Sequence, residues 1–122
     1  MHRGLGDKQV ISLGIGMLRA LEELWQLRPP VCHGALAPGH VLVDWPPAPD
    51  GTGVWLVGVG GRERVRDSLL AEGYLPPASS AISSGSLEED IYGVGAVLLR
   101  LVSGYGLCVL ACRLPLSPCL LL

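Results

Sequence analysis

The segment from Ser86 to Val102 constrains the fold more than any other part of the chain. Ser86-Leu87-Glu88-Glu89 has the form of a capping box, with Ser86 at the N-cap and Glu89 three residues on. The helix it opens runs from about Leu87 to Val102. It is apolar almost all round, through Ile91, Val94, Ala96, Val97, Leu98, Leu99, Leu101 and Val102. Such a helix is buried or lies in a membrane. Ile91 to Leu110 is long enough to span a bilayer, but Arg100 sits inside it and Gly93, Gly95, Gly104 and Gly106 dilute it. The expectation is therefore a buried central helix. A membrane-associated tail from Tyr105 to Leu122 is the minor alternative. Gly104 is the expected C-cap.

A buried helix needs neighbours. The stretch from Asp7 to Leu27 supplies one, with apolar residues at Val10, Leu13, Met17, Leu21, Leu24 and Trp25, and with Leu18 and Leu27 widening the stripe. Asp7 is the expected N-cap, and Pro29-Pro30 ends the helix. Gly14 and Gly16 each cost a helix roughly 1 kcal/mol relative to Ala, so close packing is expected at them. Val41-Leu42-Val43 and Val54-Trp55-Leu56-Val57 are strand-like. They flank the Pro- and Gly-rich segment from Asp44 to Gly53, which predicts a hairpin with a long loop. Gly58-Val59-Gly60-Gly61 breaks the second strand as a plain turn. Arg62 to Ala71 is charged and fits a short helix, and Pro76 to Gly85 is a loop. Tyr105 to Leu122 shows no helical or strand period, with Pro115 and Pro118 breaking any long helix.

With 122 residues the chain makes one domain or part of one, and burying roughly two-thirds of its unfolded surface gives it a modest core. Its net charge is −2 and no basic stripe is present, which argues against nucleic acid as a partner. Apolar content of 49% with 16% charged residues argues against disorder in the middle of the chain. Cys32, Cys108, Cys112 and Cys119 lack zinc-site spacing. No His or acid joins the Cys108/Cys112 pair. The residues after Met1 lack the layout of a signal peptide, so a reducing, cytoplasmic setting is expected.

The pieces, in order, resemble the first half of a protein-kinase C-lobe. His33-Gly34-Ala35-Leu36-Ala37-Pro38-Gly39-His40, followed by the Val41–Asp44 strand, has the rhythm of the catalytic loop. Gly58-Val59-Gly60 stands where the family has Asp-Phe-Gly. Gly73-Tyr74-Leu75-Pro76-Pro77-Ala78 resembles the Tyr-Leu-Ala-Pro-Glu stretch, and Glu89 to Gly104 resembles the central C-lobe helix. The resemblance covers roughly Asp7 to Gly104, and the order and spacing of the motifs carry it. It implies a mixed α+β, mainly helical fold: a partial kinase-like C-lobe over residues 1–104 with a β-hairpin and a central buried helix, and a divergent hydrophobic tail over residues 105–122.

The same resemblance implies that the chemistry is gone. Ala35 stands at the catalytic Asp, Ala37 at the loop Lys, His40 at the metal-binding Asn and Gly58 at the metal-binding Asp. Phosphoryl transfer depends almost wholly on positioning and charge neutralisation, so no catalytic, cofactor or metal site is expected. A neutral imidazole is also a poor ligand for magnesium, which prefers oxygen donors. The nucleotide-contacting parts of a kinase would lie before Met1. Ala78 stands at the Glu that closes the activation segment, so that segment is expected to be loose. Four positions are expected as structural anchors: His33, with its ring packed on Val59; Leu42; Val59 itself; and Asp90, accepting hydrogen bonds from the loop backbone. Against these stand plainer readings. Asp90 also fits a solvent-facing first-turn acid, His33 a core histidine and His40 a surface turn. Tyr74 and the serines at 79, 80, 83 and 84 fit a solvated loop as well as phosphorylation sites. Pro46-Pro47-Ala48-Pro49 fits a stiff loop better than a polyproline ligand.

The expected function is a catalytically inactive, kinase-like signalling segment acting as a scaffold or allosteric partner of other proteins, with the pragmin type of scaffold as one possible home. One alternative is a truncated splice or frame-changed product with no independent function. Another is a weak nucleotide binder or a non-standard kinase with displaced catalytic groups, drawing on Glu63, Asp67 and Glu72 as spare carboxylates.

Overall fold

A computed structural model describes residues 6–76 and 85–103 and the short strand Ala111–Cys112. Helix α1 spans Asp7–Trp25. Its N-cap is Gly6, not Asp7, and the Gly6 N–H is taken by the Gln9 side chain at 3.3 Å. Asp7 instead opens the first turn, where a carboxylate is favoured by the helix dipole. Leu13, Met17 and Leu21 are fully buried, as i, i+4 spacing demands. Leu18 is 44% exposed because it lies about 100° round from Met17. Leu27 is exposed because the helix stops at Trp25, and the chain turns back as Val31 N–H donates to Leu24 O at 3.0 Å.

Strands β1 (Val41–Val43) and β2 (Val54–Leu56) form the expected antiparallel hairpin, with Val41 opposite Leu56 and Val43 opposite Val54. Val41, Val43 and Val54 point into the core, and the half-buried Leu42 alternates with them. The hairpin sits directly on α1: a Cβ at Gly16 would fall 2.5 Å from Val54 Cβ. The tail adds a strand that its residue pattern does not announce. Strand β3 (Ala111–Cys112) runs parallel to β1, giving the order β2-β1-β3. Two residues joined through backbone hydrogen bonds leave no periodic signature.

Helix α2 (Arg62–Glu72) follows the glycine turn and ends at Gly73, in the left-handed region at φ 87°. Only Arg62 and Leu69 of its residues are buried. Helix α3 (Leu87–Ser103) starts as the capping sequence requires, Glu89 N–H donating to Ser86 Oγ at 3.2 Å. The Glu89 carboxylate turns instead to Arg62. The buried face of α3 is Asp90, Gly93, Val94, Val97 and Leu101, packed against α1 and the loop that follows it. At Gly93 that loop comes so close that an added Cβ would lie 2.8 Å from Leu36 Cβ. The burial expected all round α3 is found on one face only. Ile91, Leu99 and Val102 are 54%, 71% and 56% exposed, because the described neighbours cover one side of the helix.

The fold is mixed α+β and mainly helical, and its element order and hairpin fit a partial kinase-like C-lobe. Among the described residues no helix is long and apolar enough to cross a membrane. Gly104, Ala78, the serines at 79, 80, 83 and 84, and Cys108 and Cys119 lie outside the described residues.

Candidate functional site

The segment from His33 to His40 lies between the end of α1 and β1, and Asp90 holds it from below. Asp90 is 1% exposed, so it does not face solvent. Its Oδ2 accepts the backbone N–H of His33 at 2.8 Å and the indole N–H of Trp25 at 3.2 Å. Its Oδ1 accepts the backbone N–H of Gly34 at 2.9 Å. The first turn of α3 thus supplies a carboxylate that satisfies two buried amides of the loop, groups that cost free energy if left unpaired.

His33 is 1% exposed and its tautomer follows from its partners. Ala35 N–H donates to Nδ1 at 3.1 Å, so Nδ1 carries no proton and Nε2–H donates to the Val57 carbonyl at 2.7 Å. Burial lowers its pKa below the ordinary histidine value, against the opposing pull of that carbonyl and of Asp90. His33 is therefore a neutral tie between the loop and the residue after β2. Val59, expected beneath its ring, is 44% exposed. The turn is closed by Gly60 N–H on His33 O and Gly61 N–H on Gly58 O.

His40 is half-buried at the end of the short turn Pro38–His40. Its Nδ1–H donates to Ala35 O, and its ring centroid lies 6.0 Å from that of His33. Gly58 sits beside this ring at φ 78°, and a Cβ there would lie 3.2 Å from three His40 ring atoms. The structure thus brings together His33, Ala35, His40, Gly58 and Asp90. Ala37 lines a neighbouring cleft and Leu42 sits in β1. The side chains at 35, 37 and 58 offer no donor atom, and His40 is committed through Nδ1. These residues do not fit magnesium, which takes oxygen ligands in near-octahedral order. Among the described residues no group of three His, Cys, Asp or Glu side chains is placed to hold a metal ion.

The cleft beside the loop measures about 410 Å³. One wall is Ala37–His40, the other is α2 through Val65, Ser68, Leu69 and Glu72, and Tyr74 and Arg100 close it. Tyr74 is 5% exposed, with the Arg100 guanidinium 5.8 Å from its ring centre, and burial raises its phenol pKa. It is thus not part of a solvated loop. Cys32 is a free thiol whose pKa is raised first by burial and then by Asp90, so it is not an activated nucleophile.

Three residues of this region escape the sequence reading. Trp25 counts there only as core, although a buried indole N–H needs an acceptor. Arg62 and Glu89 read as a charged helix and a cap. In the structure they form a buried pair, Nη1 to Oε1 at 2.8 Å and Nη2 to Oε2 at 3.0 Å, with Nη1 also on Gly34 O at 3.4 Å.

The chain is similar to two curated proteins of Arabidopsis thaliana. One is named "Probably inactive leucine-rich repeat receptor-like protein kinase" and is 36% identical over 94 residues, 76% of this chain and 12% of that protein. The other, the leucine-rich repeat receptor-like protein kinase PEPR2, is 27% identical over 119 residues, 85% of this chain and 10% of that protein. This chain therefore spans about a tenth of the length of the relatives it matches. No protein-family model and no solved structure matches it. The similarity supports a kinase-like relationship.

Proposed function

We propose that the chain is a catalytically inactive, kinase-like segment that acts by presenting surfaces to protein partners in signalling. One observation carries this reading. Asp90 holds the backbone of the loop in place, while Ala35, Ala37, His40 and Gly58 stand where a proton acceptor, a phosphate-steadying cation and two metal ligands would be needed. The architecture is kept and the chemistry is not. That one relative is itself named as probably inactive supports the same reading. So does the exposed apolar face of α3, since such faces mark interaction sites. The reading implies a reducing, cytoplasmic setting, with Cys32 a thiol. Neither relative is a pragmin-type scaffold, and that finer home rests on the degenerate loop alone.

The test is a phosphotransfer assay on the purified chain with labelled ATP, magnesium or manganese, and a generic protein substrate, run beside a thermal-shift titration. The expected result is no label above background and no metal-dependent shift. Metal-dependent labelling that survives repurification would overturn the proposal.

A further inference from the structure

The pair Arg62–Glu89 joins three segments. Arg62 opens α2, Glu89 lies in the first turn of α3, and Gly34 belongs to the loop. Gly85, which leads into α3, is packed into the same crossing: a Cβ there would lie 3.2 Å from Gly34 Cα and 3.8 Å from Arg62 Nη1. The two side chains are only 5% and 10% exposed, with Nη2 donating to Oε2 at 3.0 Å and Nη1 in ion-pair contact with Oε1 at 2.8 Å. A charge-assisted hydrogen bond this well buried is among the stronger side-chain contacts.

What gives the pair consequence is how little else buries α2. Of the eleven residues in this helix only Arg62 and Leu69 are buried. Most of the core, built on Leu13, Met17, Leu21, Val41, Val43, Val97 and Leu101, belongs to α1, the hairpin and α3, with Ala35 and Leu36 from the loop and Tyr74 and Leu75 just after α2. At its far end α2 is tied by Arg100, whose Nη2 donates to Glu72 O at 3.3 Å near the surface. The helix is therefore held at its start by a buried ion pair, along its length by the buried Leu69 with the partly buried Val65 and Leu70, and near its end by an exposed hydrogen bond. It also forms one whole wall of the cleft, through Val65, Ser68, Leu69 and Glu72.

We infer that Arg62 and Glu89 are a positioning pair: a buried charge latch that seats α2 on the loop and thereby sets the cleft between α2 and Ala37–His40. The latch is separable from the global fold. Breaking one partner leaves the other charge buried and uncompensated, and the element with the fewest apolar contacts opens first. Lysine at 62 keeps the charge but cannot reach both Glu89 and Gly34 through the separate nitrogens of a planar guanidinium, so it restores the latch in part.

Amide hydrogen exchange on the full chain tests this. In Arg62→Met, the amides of residues 66–72 are expected to exchange at least tenfold faster, while those of residues 13–21 in α1 change less than twofold. Arg62→Lys is expected to return the α2 amides to within about threefold of the parent. Glu89→Gln, which keeps the shape of the acceptor, provides the second variant should Arg62→Met not fold, with the same expected pattern. Unchanged α2 exchange would overturn the inference. So would equal acceleration in α1 and α2, or loss of folding in both Arg62→Met and Glu89→Gln, since either would make the pair part of the global core.

Discussion

Replacing Asp90 tests whether the loop is held from α3. The Asp90 carboxylate satisfies two buried backbone donors, His33 N–H at 2.8 Å and Gly34 N–H at 2.9 Å, and the part-buried Trp25 indole at 3.2 Å. Alanine leaves all three without their acceptor. At about 1–3 kcal/mol for each buried donor left unpaired, the two amides alone cost about 2–6 kcal/mol. A domain of this size has only about 5–15 kcal/mol in total. Asparagine separates the contributions. Its single carbonyl oxygen can take the Oδ2 position and keep His33 and Trp25, but its amino group then faces the Gly34 donor, at a cost of about 1–3 kcal/mol. The order of stability should be parent, Asp90→Asn, Asp90→Ala, measured by urea unfolding with intrinsic Trp fluorescence. Glu88→Ala, one turn-edge away and exposed, should stay within about 0.5 kcal/mol. If Asp90→Ala unfolds at the parent's midpoint, Asp90 is an ordinary first-turn acid and the account of the loop is wrong.

Three further outcomes follow from the same geometry. Gly93→Ala drives a Cβ to within 2.8 Å of Leu36 Cβ and should destabilise by about 1–3 kcal/mol, whereas Gly95→Ala meets nothing within 4 Å and should stabilise α3 by up to about 1 kcal/mol; thermal melts with the same sign for both would refute the packing described. His33 has a folded pKa below its unfolded value of 6.5, so the unfolded chain binds the proton first. Its contribution is complete above pH 6.5 and is lost as pH falls from there toward the folded pKa. The urea midpoint of the parent should therefore drop between pH 7 and 5 more steeply than that of His33→Asn, and parallel profiles would contradict the neutral tautomer. Gly58→Asp should not create magnesium binding, because the residue sits at φ 78° with the His40 ring 3.2 Å from its Cβ; calorimetry showing saturable magnesium uptake would contradict the strain argument.

The parts of the fold that a periodic pattern encodes were legible in the sequence. The two long helices, the hairpin and the Ser86 cap follow from apolar spacing and punctuation, and the structure has them within a few residues. Close packing at Gly16 could be anticipated from the helix penalty that the residue carries. What stayed hidden depends on partners far apart in the chain. The exposure of Leu99 and Ile91 reflects which neighbours cover α3, not its composition. The pairing of Arg62 with Glu89 spans 27 residues and joins two side chains that each have an ordinary local reading. Trp25 bonds to a carboxylate 65 residues away. Strand β3 is two residues long and is defined by its pairing with β1 alone. Of the candidate site, the residue types at Ala35, Ala37, His40 and Gly58 were plain from the resemblance, but the way His40 fills the space beside Gly58 is a matter of three-dimensional contact.

The central proposal is that the loop keeps its backbone scaffold but lacks the side chains that would hold a nucleotide's metal. A ¹H–¹⁵N spectrum of the isotope-labelled chain, titrated with ATP and magnesium, tests it most directly through the backbone amides of Gly34, Gly58 and Gly60. The account predicts that these three resonances stay in place through millimolar ligand (~mM, the range of weak binding). A saturable, magnesium-dependent shift of any of them would contradict it.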